Sequence, residues 1–103
     1  MADEKRKLGE SEIAEELKSL PGWSVANGKL LRNYSFGSFV RAWAFMSAAA
    51  LVIQQLDHHP EWFNVYDRVR VEIVTHSIQG ISPADVELAR KMEELAGPWL
   101  AAG

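Results

Sequence analysis

The 103-residue chain contains no cysteine, which removes disulfides, thiolate metal sites and cysteine nucleophiles from consideration. It has no basic excess either. Its 11 Lys and Arg against 14 Asp and Glu leave a net charge of −3, the wrong sign for a nucleic-acid groove or an anionic membrane surface. The first ten residues, MADEKRKLGE, carry charge where a signal peptide needs an apolar run. The most apolar stretch, Phe39 to Leu56, falls short of the roughly 20 residues of a membrane span and closes in Gln-Gln-Leu-Asp-His-His. No repeat, low-complexity tract or linker divides the chain. These absences predict one soluble cytoplasmic domain over 1–103, without nucleic-acid or membrane partners, whose residues 1–8 form a frayed charged tail.

What is present reads as seven elements. Gly9, with Glu12 three positions on, opens a helix that places Ile13, Leu17 and Leu20 on one side and stops at Pro21-Gly22. Two short strands around Asn27-Gly28 follow, the strongest short-range hairpin signal. Ser38 caps a helix over 39–56 whose only charge before Ile53 is Arg41. A helix apolar almost all round must be covered on two sides. Its own sheet covers one, and a second subunit is the natural cover for the other. Pro60 stops this helix, and two more strands follow with a turn near Asp67-Arg68. The second strand alternates, with Val69, Val71, Ile73 and Thr75 on one face and Arg70, Glu72, Val74 and His76 on the other. Ser82-Pro83, with Asp85 in the first turn, opens a last helix that buries Val86, Ala89, Met92 and Leu95 before Gly97-Pro98. The order α-β-β-α-β-β-α predicts an α+β domain, a four-stranded antiparallel sheet with three helices packed on one face.

Only three histidines occur, and two of them are adjacent in DHHPEWFNVY, residues 57–66, with His76 one strand downstream. Histidine is the side chain whose ordinary pKa lies nearest neutrality, so the grouping suggests proton transfer or a metal. Asp57, His58 and His59 fall at a helix C-terminus, where unpaired carbonyls and neighbouring Asp57 and Glu61 suit a general acid. His76 precedes the polar loop SIQG, at the kind of strand end on which sites are built. The plainer alternative makes His58 a helix cap and His59 and His76 surface polar residues. A three-histidine zinc site is disfavoured, since adjacent residues at a helix end project apart and the i, i+4 ligand spacing is missing.

The segment LDHHPEWFNVY, followed by VEIVTHSIQGISPADVELA, resembles the signature of the pterin-4a-carbinolamine dehydratases. The likeness runs from Pro21-Gly22-Trp23 to the end of the last helix, and includes His-His-Pro, the aromatic run, Thr-His and the later aspartate. It implies a small α+β fold, a homodimer or homotetramer, and a lyase needing neither metal nor organic cofactor. The implied substrate is the 4a-hydroxytetrahydropterin left by aromatic amino acid hydroxylases, dehydrated to quinonoid dihydropterin. It assigns acid–base work to His58 and His76, with His59 mainly holding the pterin. Asp57 and the segment Val74, Thr75, His76 and Ser77 would line the pocket, and Trp23 would supply an apolar wall. Two departures stand out. Gln54 replaces a commonly charged residue four positions before His58, and Ala84 stands where some relatives carry arginine. Alanine variants of the three histidines are expected to stay folded. The competing expectation is a non-catalytic dimerisation module acting on a protein partner such as a transcription factor.

Overall fold

The computed structural model describes residues 5–100. Its elements are α1 (Glu10–Leu17), β1 (Trp23–Ala26), β2 (Lys29–Ser35), α2 (Phe39–Leu56), β3 (Glu61–Val65), β4 (Arg68–Ile73) and α3 (Pro83–Ala96). This is the expected α+β order. The sheet is antiparallel throughout, with strands in the order β1-β2-β4-β3. Each hairpin stays together, and β2 joins them by pairing with β4 from Leu30↔Ile73 to Ser35↔Arg68.

Local chemistry explains the turns. Asn27 (φ 54°) and Gly28 (φ 75°) are both left-handed, the backbone of a type I′ turn that suits the twist of β1 and β2. The second hairpin turns at Tyr66-Asp67, one residue earlier than expected. Asn64 Nδ2 donates to the carbonyls of Tyr66 and Arg68 across it, and Arg68 already belongs to β4. The last strand is also shorter than its alternation suggested. β4 ends at Ile73, and Thr75 pairs with Gly80, closing a loop in which His76–Ile78 form a 3-10 turn. His76 therefore opens that turn and does not occupy a strand face.

The core lies between sheet and helices. Leu30, Tyr34, Val69, Val71 and Ile73 face Ala42, Phe45, Ala49 and Ile53 of α2 and Leu88, Ala89 and Met92 of α3. Tyr34, Phe36 and Phe45 meet ring to ring at 5.0–5.5 Å between centroids, a spacing at which aromatic pairs add to simple burial. One carboxylate of α3 serves the first hairpin. Glu93 Oε1 accepts from Trp23 Nε1 at 2.8 Å, Tyr34 Oη at 2.9 Å and Arg32 Nε at 3.3 Å. Burial, reinforced by Glu93, drives the Tyr34 phenol far above its ordinary pKa.

The N-terminal expectation needs correction. Residues 1–4 of the expected tail lie outside the described residues, but Leu8 is buried and its N–H donates to the Ile81 carbonyl at 2.8 Å. An apolar residue with a backbone partner is tied down. α1 is shorter than the pattern suggested; it ends at Leu17, and Leu20 is buried from the turn beyond it.

The outward sheet face sets Glu61 directly opposite Glu72, a like-charge pairing that is unfavourable unless neutralised. Lys29 neutralises it, in contact with Glu61 and 3.6 Å from Glu72. Its hydrogen bond holds the Glu61 carboxyl below the usual carboxylate value and raises Lys29 itself. A lowered carboxylate adds stability above its ordinary 4.5 that is lost as pH falls through the lowered value; a raised lysine adds stability below its ordinary 10.5 that is lost as pH rises through the raised value. Lys29→Met should therefore melt below the parent protein between those limits. The gap should close in acid and shrink in 1 M salt. Thermal melts across pH and salt read this directly, and equal melting temperatures at neutral pH would rule it out.

Candidate active site

The end of α2 separates the two adjacent histidines. Asp57 leaves the helix in the left-handed region (φ 50°, ψ 44°), which aspartate tolerates better than most residues. The N–H groups of Asp57 and His58 still reach back to the carbonyls of Gln54 and Ile53. From there His58 turns inward, with its side chain 11% exposed, while His59 stays in solvent at 58%. His59 Nε2 lies 3.2 Å from Asp57 Oδ1. The pair occupies two environments.

His58 meets a residue that the sequence marked as a first-turn acid and as part of the family likeness, but with no role at the site. Its Nε2 lies 2.5 Å from Asp85 Oδ1, and Asp85 is fully buried. Asp85 Oδ2 accepts from Thr75 Oγ1 at 2.9 Å, Ser82 N at 2.7 Å and Ser82 Oγ at 3.2 Å, while the two hydroxyls lie 2.7 Å apart. A carboxylate ringed by donors assigns the His58 proton to Nε2. Nδ1 is then the ring nitrogen not committed to Asp85. This is the base-plus-orienting-acid pattern recurrent in proton-transfer sites.

Through Asp85 the fold brings the end of α2, the end of β4 and the start of α3 to one point. His76 follows Thr75 directly and is exposed, as is Ser77, while Val74 is half-buried. The charge of His76 is felt by Glu61, whose carboxyl it helps to lower after the larger effect of Lys29. Histidines 58, 59 and 76 thus share one end of the sheet. Among the described residues, no three His, Asp or Glu side chains are arranged to hold a metal ion.

Several site expectations are revised. Trp23 is buried in the core with its indole N–H on Glu93. It lies on the edge strand opposite β3 and cannot serve as a pterin wall beside His58. A tryptophan following a Pro-Gly turn carried no signal to separate the two roles. Thr75 supports the site from beneath, because its buried hydroxyl is committed to Asp85 and Ser82. Gln54 is exposed, and its carbonyl accepts from Asp57 N. Ala84 is buried beside Asp85. Asp85 itself was missed as a site residue. The expected tolerance of alanine is also revised at His58, whose loss would strand a buried carboxylate oxygen.

The profile described as pterin 4 alpha carbinolamine dehydratase matches residues 6–95. A protein of Solibacter usitatus (strain Ellin6076), named as a candidate pterin-4-alpha-carbinolamine dehydratase, is 48% identical over 90 residues, which cover 87% of this chain and 95% of that one. A Brucella ovis protein named the same way is 45% identical over 95 residues, covering 90% and 98%. Among solved structures, the transcriptional coactivator/pterin dehydratase from Brucella melitensis superposes with a TM-score of 0.87 at 45% identity, over 89% of this chain and all of that one. A pterin dehydratase-like protein identified as a RuBisCO assembly factor in the alpha-carboxysome shares the fold, with a TM-score of 0.62 at 21% identity over 73% of this chain and 87% of that one.

The Asp85 node generates a stability prediction. Asp85→Ala strands His58, Thr75 and both donors of Ser82, and should cost about 3–5 kcal/mol. Thr75→Val removes one donor and should cost roughly 1–2 kcal/mol. Urea unfolding measures both. An Asp85→Ala protein as stable as the parent would mean that the node does not hold the three elements together.

Proposed function

Because the chain belongs to the pterin 4 alpha carbinolamine dehydratase family, we propose that it removes water from a 4a-hydroxytetrahydropterin to give quinonoid dihydropterin. The reaction would serve recycling of the tetrahydropterin cofactor of aromatic amino acid hydroxylases. The observation that carries this reading is His58, aimed by a buried carboxylate at the end of the sheet where His76 also lies. In the reaction an acid protonates the 4a-oxygen, the C4a–O bond breaks, and its electron pair departs with water. The N5 lone pair closes the N5=C4a bond, and a base takes the N5 proton. The two proton transfers balance, and no electron acceptor enters.

His58 and His76 divide the acid and base roles. Asp85 acts as a positioning residue that keeps Nε2 of His58 occupied and Nδ1 free. His59, in solvent beside Asp57, holds the pterin, with Val74 and Ser77 at the edge of the same surface. Thr75 contributes by fixing Asp85.

Steady-state kinetics on three single variants and one double variant test these roles. His58→Gln keeps an N–H for Asp85 but has no proton to exchange near neutrality, and His76→Ala removes the second group. Each should lower kcat by about 10²–10⁴. The double variant should lose less than the product of the singles, because both act on one event. His59→Ala should chiefly raise KM. Circular dichroism controls for folding, and folded, fully active proteins with either of the first two substitutions would remove the histidines from the mechanism.

Assembly belongs to the same reading. α2 leaves Phe39, Val40, Trp43 and Leu51 exposed, at 47%, 75%, 56% and 75%, opposite the face it buries. We assign this stripe to contact with a second copy, giving a homodimer or homotetramer. The same stripe is what an interaction module would use, and the Brucella melitensis relative is described as a transcriptional coactivator/pterin dehydratase. Sedimentation at micromolar concentration should show a multiple of 11.5 kDa, and Trp43→Glu with Leu51→Glu should shift it to monomer. A folded 11.5 kDa parent species would overturn the assignment.

A further inference from the structure

A sheet covered by helices on one face presents its other face to water, and that face is ordinarily polar. Here β3 sends Phe63 and Val65 outward, 57% and 62% exposed. The pairing register sets them in two rows. Asn33, Arg70 and Phe63 stand side by side, and Ser35, Arg68 and Val65 form the next row, roughly 7 Å along the strands. Each row runs from a hydrogen-bonding group through a guanidinium to an apolar side chain. Together they line a concavity of about 530 Å³, within the roughly 300–1,000 Å³ typical of small-molecule sites.

The charges there are not mutually satisfied. Arg70 pairs with Glu72 at 2.8 Å, but among the described residues Arg68 has no carboxylate partner. The unpaired Arg68 guanidinium stands beside exposed Val65 and one row from the exposed Phe63 ring, an arrangement that complements one ligand chemistry. Guanidinium takes carboxylate in a two-point bond, and its neighbouring apolar surface takes a ring. The groove is separate from the histidines. Arg70 precedes His76 along the chain past the end of β4, and the Glu61–Glu72 row with Lys29 lies between.

We propose that this groove is a second binding site, for a small planar aromatic carboxylate. The carboxylate rests on Arg68, the ring lies on Phe63 and Val65, and Asn33 and Ser35 hydrogen-bond polar substituents on the ring. Nothing in this proposal depends on the dehydratase reading, and its test reads binding alone.

The probe is indole-3-acetate, titrated into the isotopically labelled full chain and followed by amide chemical shifts. Shifts at residues 33–35 and 63–70 should saturate with a Kd of about 1 mM or tighter. Indole-3-acetamide, with the same ring and no charge, should bind about tenfold more weakly or worse. Arg68→Ala should weaken indole-3-acetate by a similar factor, and Phe63→Ser should weaken the acid and the amide alike. Both substitutions are on an exposed face, and the dispersion of the same spectra reports their folding. Shifts that fail to saturate, equal affinity for acid and amide, or shifts centred on His58, His59 and His76 would each overturn the proposal.

Discussion

A carboxylate with no solvent exposure is the constraint on which the rest of this structure turns. Taking Asp85 out of water is costly unless every lone pair finds a donor. The donors come from three elements: His58 beyond α2, Thr75 beyond β4, and Ser82 at the cap of α3. None of them is optional, and each has to arrive at one point. β4 has little freedom of register as a result. A slip of one residue would turn Thr75 from the buried face to the outer one, together with Val69, Val71 and Ile73. The demand that folds these elements together is also the one that aims an imidazole, so fold and candidate site rest on the same bonds.

The left-handed residue at 57 has a comparable double effect. Had α2 run on through His58 and His59, both side chains would have followed the helical rotation, and neither would be directed by the chain break. Ending the helix at Asp57 sends His58 inward and leaves His59 in water. Adjacent histidines thereby acquire different partners, one a desolvated carboxylate and the other an exposed one. That difference is the physical ground for giving them different tasks.

Elements with local causes were legible in the sequence. Asn27-Gly28 states its turn through backbone conformation alone, Ser38 and Ser82 declare helix starts, and the apolar spacing of α2 and α3 marks their buried faces. The histidine grouping was legible as a candidate site for the same reason, since scarce residues of one chemistry recur around a helix end and a strand end. What escaped depends on distant contacts. Asp85 sits three residues after Ser82 and is fully explained by capping, so nothing local shows that its second oxygen serves a histidine 27 positions away. Trp23 was placed beside the pterin by likeness, but its indole N–H answers to Glu93, 70 positions on. Leu8 reads as the end of a charged tail until Ile81 offers it a carbonyl. His76 reads as the last strand residue until Gly80 returns to Thr75 and bends the chain there.

The last helix shows how these distant contacts combine. Asp85 and Glu93 are eight positions apart, roughly 12 Å along the axis, with the apolar Val86, Leu88, Ala89 and Met92 among the residues between them. Apolar contact alone would let a helix slide over a sheet at modest cost, because one aliphatic side chain replaces another. The carboxylates forbid sliding. Asp85 answers to donors at the end of β4, while Glu93 answers to Trp23, Arg32 and Tyr34 on the far hairpin. A shift by one turn would strip both of partners at once and leave the Tyr34 hydroxyl and the Thr75 hydroxyl buried without acceptors. Two polar anchors at opposite ends therefore set the position of α3 on the sheet, and the apolar stripe between them supplies most of the burial. Because one anchor also holds His58, the site inherits its geometry from the docking of the whole helix and needs no dedicated scaffold of its own.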